Sequence, residues 1–199
     1  MTLQIIPSIR QAEASDAVEL AKLIDIAGEG IPAWLWGQSC QAEQTHLDVG
    51  AERARRETGG FSFKNALVAE RRGEVTGMVL SYAIDEAPAS EPHELPAPIA
   101  PFVELEAQSV GTWYINALAV FAGGREAGIG TKLLNAAESQ AISAGYQMMS
   151  IQVYSQNTGA LRLYQRLGYA IDARAKVLLH PCQPYYTGDV LLLMKRLEA

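Results

Sequence analysis

Gly128 and Gly130 stand where an apolar, strand-like run gives way to a helical pattern, in Asn116-Ala-Leu-Ala-Val-Phe-Ala-Gly-Gly-Arg-Glu-Ala-Gly-Ile-Gly-Thr131. The first turn of a helix carries backbone N–H groups without intrahelical partners and the positive end of the helix dipole, so it can hold a phosphate oxygen. Glycine presents no Cβ, and a bulky anion can come close. No Lys follows the glycines, which excludes a P-loop. The dinucleotide fingerprint also fails, because its third glycine is missing and no matching βαβ unit opens the chain. Taken by themselves, the residues fit both an anion-binding turn and a plain tight strand-to-helix connection.

Downstream, Asn157-Thr-Gly-Ala160-Leu-Arg-Leu-Tyr164-Gln-Arg-Leu-Gly168-Tyr169 forms a second patterned segment. With the turn Arg125-Glu126-Ala127-Gly128-Ile129-Gly130, it makes the chain resemble the GCN5-related N-acetyltransferase (GNAT) superfamily. That family carries a Gln/Arg-x-x-Gly-x-Gly/Ala turn after its fourth strand and an N-x-x-A-x-x-x-Y-x-x-x-G-Y/F pattern further on. The resemblance spans nearly the whole chain and is specific for the superfamily, much less so for a substrate. Ala122 and Gly124 depart from it, since many members carry a proline and an aromatic residue there.

The resemblance implies an α/β (α+β) GNAT fold, with a central mixed, mostly antiparallel sheet of about seven strands flanked by helices. It implies acetyl-CoA as co-substrate and no metal. By position, the amides of Arg125, Glu126, Ala127, Gly128, Ile129, Gly130 and Thr131 would cradle the pyrophosphate. The pantetheine arm would pair with the backbone of Leu118, Ala119 and Val120 as an added strand. Asn157 would contact the cofactor arm; read in isolation it is equally a helix N-cap.

Acetyl transfer to an amine needs an uncharged amine, a donor for the charge that grows on the carbonyl oxygen and a proton for the departing thiolate. Tyr164 is the candidate for supplying that proton, since a phenol with reference pKa near 10 is protonated at neutral pH and can donate to a thiolate of reference pKa about 8.5. The oxyanion donor would be a backbone N–H near Ala119 or Val120. For the base, Glu104, Glu106, Asp85, Glu86, His180 and Asp189 stand equal, and Asn116 cannot serve because an amide is not a base.

Charge is unevenly laid out. From Gly73 to Gly124 there is no Lys or Arg, whereas Glu74, Asp85, Glu86, Glu91, Glu94, Glu104 and Glu106 fall there; from Arg125 to Lys176 the bias reverses. A basic half suits the phosphates of coenzyme A and an acidic half a cationic amine. Glutamates that keep a loop soluble account for the same pattern. Trp34, Trp36, Tyr185 and Tyr186 suit an amine pocket or, for the tryptophans, the core.

These groups must be positioned by elements. Residues 3–13 predict a first strand, with Ile5, Ile6 and Ile9 among polar neighbours. Asp16 with Glu19 reads as a capping box for a helix whose apolar face is Val18, Leu20, Leu23, Ile24 and Ala27, closed by Gly28 and Gly30. Between Ile31 and Gly60 lie the aromatic cluster and a charged tract, Glu52 to Glu57, that predicts a solvated helix. Asn65–Arg71 and Glu74–Ala83 predict a hairpin turned at Arg72-Gly73. Five of nine prolines, Pro88, Pro92, Pro96, Pro98 and Pro101, fall between Asp85 and Gln108, which predicts a long loop or insertion. A strand at Thr112–Phe121 follows. The helix from about Ile129 to Ala144 has Ile129, Leu133, Leu134, Ala137, Ala141 and Ile142 as its apolar face and Gly145 as its stop. A strand at Gln147–Tyr154, a helix at about Thr158–Leu167, and strands at Tyr169–Leu179 and Gly188–Leu197 complete the order, without repeats.

The 199 residues, 49% hydrophobic and 19% charged, predict one soluble globular domain over residues 1–199, with the insertion at about 85–110. A net charge of -6 argues against nucleic acid as the partner. No apolar run approaches the roughly 20 residues of a membrane span. The N-terminus lacks the order of a secretion signal, and Cys40 and Cys182 have no metal-like spacing, so a cytoplasmic chain with reduced thiols is expected. The homodimer is the commonest soluble assembly. The leading expectation is an N-acetyltransferase acting on a small-molecule amine, with a cationic acceptor in view. Ribosomal-protein-like N-terminal acetylation, a non-catalytic acyl-CoA-binding module and a larger acyl donor are the alternatives.

Overall fold

The computed structural model describes residues 7–87, 96–124 and 128–198. Arg125, Glu126 and Ala127 of the expected turn, and Ile5 and Ile6 of the expected first strand, lie outside them. The strands are β1 (Ser8–Gln11), β2 (Ala66–Arg71), β3 (Glu74–Ile84), β4 (Thr112–Val120), β5 (Met148–Tyr154), β6 (Ala170–Lys176) and β7 (Asp189–Arg196). The helices are α1 (Ala17–Ala27), α2 (Ile31–Gly37), α3 (His46–Ala54), α4 (Ala100–Glu106), α5 (Ile129–Ser143) and α6 (Thr158–Arg166). One seven-stranded sheet runs in the order β1-β2-β3-β4-β5-β7-β6. The pairs β1–β2, β2–β3, β5–β7 and β6–β7 are antiparallel, and β4–β5 is parallel. This is the mixed, mostly antiparallel sheet that the resemblance implies.

The chain divides into two compact units, Met1–Ser81 with Ala117–Ala137 and Tyr82–Asn116 with Glu138–Ala199; β3, β4 and α5 contribute residues to both. In the first unit, α1, α2 and α3 supply an apolar core with β2 and β3, built on Leu20, Leu23, Ile24, Trp36, Val49, Val68, Met78 and Leu80. Trp36 is 1% exposed and therefore a core residue. Its ring fills the space above Gly50, where a Cβ would lie 2.4 Å from the indole. Val18, expected on the inner face of α1, is instead exposed. Asp16 does not cap α1: its carboxylate accepts from the Glu13 N–H at 2.8 Å and takes a two-pronged bond from Arg10 at 2.7 and 3.0 Å. That pairing holds the Asp16 carboxyl below the usual carboxylate range.

Two helices, α3 and α4, differ from expectation and one, α2, carried none, each for a local reason. The aromatic cluster forms α2, with Pro32 in its first turn. Residues Thr45 and Asp48 make the capping box of α3, the Thr45 hydroxyl accepting from the Asp48 N–H at 3.2 Å and Asp48 accepting from the Thr45 N–H at 2.8 Å. The helix therefore starts at His46 and ends at Ala54, inside the charged tract expected to be helical through Glu57. The proline-rich segment expected as a loop contains α4, whose Pro101 sits in the first turn, where no donor is missed.

In the second unit, β5, β7 and β6 bury Met149, Ile151, Val153, Leu191 and Leu193, together with Tyr164 and Tyr169. Ile142 of α5, expected inside, is exposed. Glu138 of α5 pairs with Lys195 of β7 at 2.5 Å.

Candidate active site

In the first unit, the end of β4 and the start of α5 form the backbone part of the site. Registered pairing of β4 with β5 consists of Trp113–Met149, Tyr114–Ser150 and Ile115–Ile151, and β4 then runs on from Asn116 to Val120. Leu118 and Val120 are half-buried and Ala119 is buried. Two features of β3 hold this strand end. The register between β2 and β3 shifts at Ala69/Glu70, leaving Thr76 as the extra residue of a bulge. Its carbonyl accepts from the Phe121 N–H at 2.9 Å. Next to it, Gly77 admits the strand: a Cβ there would meet the Ala119 carbonyl oxygen at 3.0 Å and the Val120 side chain at 3.1 Å. Sequence reasoning missed Thr76 and Gly77; a glycine inside a strand pattern was the signal.

Gly128 has φ +70, a conformation that side chains resist, and the space where its Cβ would lie is open, with no atom of the described residues within 4 Å. Its carbonyl accepts from the Lys132 N–H at 3.1 Å, which makes it the residue that opens α5. Ile129, Gly130 and Thr131 then occupy the first turn, whose N–H groups have no intrahelical acceptor. Ile129 is buried, and its side chain anchors the helix. An open main-chain cradle at a helix start, without a Cβ in it, fits a pyrophosphate.

In the second unit, Asn157 is the N-cap of α6, its side-chain oxygen accepting from the Ala160 N–H at 3.1 Å. Tyr164 projects from α6 and is 5% exposed. Its ring lies 6.1 Å from that of Tyr169, and its carbonyl accepts from the Tyr169 N–H at 3.1 Å.

The structure separates the six candidate bases. Asp85 accepts from the Tyr146 hydroxyl at 2.7 Å. Asp189 pairs with Lys176 at 2.6 Å, and His180 Nδ1 lies 3.0 Å from the Cys182 sulfur. Glu86 and Glu104 are exposed. Glu106, at the end of α4, is half-buried, and burial pushes its carboxyl above the usual carboxylate range. Burial, and after it the Glu106 charge, raises the phenols of Tyr82 and Tyr114 well above their ordinary value. The Asn116 amide donates to the Tyr82 hydroxyl at 3.2 Å. Tyr82 carried no signal in the sequence, because nothing in its own strand pattern marks it as facing Glu106.

The model of the acetyltransferase (GNAT) family matches residues 31–169. No curated protein matches in sequence. Among solved structures, an N-acetyltransferase from Staphylococcus aureus Mu50 is similar at 20% identity and TM-score 0.66, over 94% of this chain and 99% of that one. The yncA structure from Salmonella typhimurium, solved with its cofactor acetyl-CoA, is similar at 20% identity and TM-score 0.63, over 97% and 95%. A ribosomal-protein-alanine N-acetyltransferase from Brucella melitensis is similar at 19% identity and TM-score 0.63, over 96% and 99%.

Proposed function

The chain belongs to the acetyltransferase (GNAT) family, and from that premise we propose that it moves the acetyl group of acetyl-CoA to the primary amine of a small molecule by direct attack. The observation that carries this reading is the Gly128 cradle: an open, Cβ-free helix start on the segment that leaves the strand end held by Thr76 and Gly77. Arg125 to Thr131 bind the pyrophosphate through main-chain N–H groups, and Leu118 to Val120 bind the pantetheine arm by strand addition. Asn157, the N-cap of α6, contacts the same arm.

Bound acetyl-CoA supplies the activated thioester. A backbone N–H at Ala119 or Val120 faces the charge that grows on the carbonyl oxygen. The amine nitrogen forms its bond to the carbonyl carbon as the carbon–sulfur bond breaks, and Tyr164 gives its phenolic proton to the departing sulfur. The ammonium loses one proton before attack and the nitrogen another afterwards. One of the two returns to Tyr164 through solvent, so the net products are amide, thiol and one proton.

A panel of small amines and N-terminal peptides, assayed for thiol release by the purified chain, tests the assignment. Turnover on small amines is the expected result. Turnover on peptides only would favour the second reading, acetylation of protein N-termini, which the exposed Leu178, Leu179 and Tyr186 on the β6–β7 connection support. Absence of turnover, with coenzyme A still bound, would leave a non-catalytic acyl-CoA-binding module.

A further inference from the structure

Resting on the acetyltransfer reading, we propose that Glu106 receives the ammonium group of the acceptor, so that the inserted helix α4, and not a strand, carries the charge that selects a cationic primary amine. Every residue in the argument belongs to the second compact unit. Phe102 and Glu106 stand one turn apart on one face of α4. The Phe102 carbonyl accepts from the Gln152 amide of β5 at 3.0 Å, and its ring meets the Tyr154 ring edge-on at 5.3 Å. Those two contacts fix that face of α4 against β5. From β3 and β4, the Tyr82 and Tyr114 rings, 5.9 Å apart and edge-to-face, lie within the electrostatic reach of Glu106.

The cluster has acceptors in excess. Among the described residues no cation pairs with Glu106, although it is half-buried. The Gln152 side-chain oxygen is buried and accepts from no donor among them. A carboxylate taken partly out of water and left unpaired is costly, and so is a buried amide oxygen without a donor. A primary ammonium supplies what each lacks, a positive charge and N–H donors, and aromatic rings favour it further through cation–π attraction. An N-acetylated amine has lost the charge and two of the donors. The cluster therefore discriminates the substrate from its own product.

The test uses the full chain in about 0.15 M salt, where attraction between exposed charges is largely screened. Thermal unfolding is followed with 1,4-diaminobutane, with its diacetylated form and, separately, with coenzyme A; steady-state kinetics use diaminobutane and acetyl-CoA. The expected result is that diaminobutane raises the melting temperature and its diacetylated form does not. Glu106→Gln should abolish the diamine shift, keep the coenzyme A shift and raise KM for the diamine about 10-fold or more, the loss of one charge-assisted contact. Glu106→Asp should recover part of the effect, and Glu104→Gln, on the exposed side of the same helix, should change neither.

An unchanged diamine shift in Glu106→Gln, equal shifts from the two forms of the diamine, or no diamine shift in the native chain would overturn the proposal. Loss of both the diamine and coenzyme A shifts in Glu106→Gln and Glu106→Asp alike would mark a structural role and overturn it as well. If coenzyme A gives no shift while the diamine does, the acetyltransfer reading fails and the ammonium site stands.

Discussion

On the proposed assignments, the turn that opens α5 and the inner face of α4 recognise their ligands by opposite means. At the turn, the groups on offer belong to the main chain: an open glycine with positive φ, N–H groups of a first helical turn and a strand end shaped by a bulge. On α4 they are side chains: a carboxylate, two phenols and two amides drawn from β3, α4, β4 and β5. Main-chain recognition tolerates almost any side chain provided the backbone geometry is kept. Side-chain recognition depends on each residue and is free to change from one relative to the next.

The contrast breaks most sharply at Tyr164, a side chain assigned to the donor side along with Asn157. Tyr164→Phe should lower kcat by about 10²-fold or more, the range for loss of a proton-transfer group, with coenzyme A affinity unchanged within about twofold. Steady-state kinetics alongside calorimetry check it, and a weakened affinity would make Tyr164 a binding residue instead.

Backbone dependence is probed next at Gly77. Gly77→Val places its side chain against the Ala119 carbonyl and should cost about 1–3 kcal/mol by overpacking. Coenzyme A binding should weaken with it. Leu118→Met, which changes a side chain but leaves the strand, should do neither. Denaturant unfolding with ligand titration on the two variants separates these outcomes.

The smallest effects compare two carboxylates, one in each unit, whose pH dependence has opposite sign. Asp16 titrates below its unfolded value because Arg10 bonds its charged form. Its contribution to stability is complete above the unfolded value, about 3.9, and is lost as pH falls through the folded one. Glu106 titrates above its unfolded value of about 4.3 because burial penalises the charge. The native chain is then relatively more stable below that value and loses this advantage as pH rises through the folded pKa. Urea unfolding from pH 3 to pH 8 should show Glu106→Gln gaining on the native chain as pH rises, whereas Asp16→Asn falls behind it. Parallel curves for the two variants would refute the assignment of their environments.

Legibility in the sequence follows the same division. The glycine turn, α5, α6 and the β2–β3 hairpin could be read from local pattern, because each is specified by neighbours in the chain; Arg72 even joins Gly73 at positive φ, as a two-residue hairpin turn requires. The α4 helix could not, because its segment's prolines read as breakers although Pro101 occupies a first-turn position that tolerates it. Asp16 was misread for a related reason: it closes a capping box one turn earlier, with Glu13, and its second partner, Arg10, comes from β1. Glu106 was one of six equal carboxylate and imidazole candidates. Only the fold distinguishes it, since Tyr82 and Tyr114 come within its electrostatic reach through the sheet and not through the sequence.

Central to the account is the claim that the main chain opening α5 grips a diphosphate. Calorimetric titration of coenzyme A into the intact chain and into Gly128→Glu tests it most directly. The account predicts heat of binding for the native chain and its loss in the variant, where a side chain and a negative charge enter the cradle, with a melting temperature lowered only by the strain that a side chain meets at positive φ. No binding by the native chain, or equal binding by both, would contradict it.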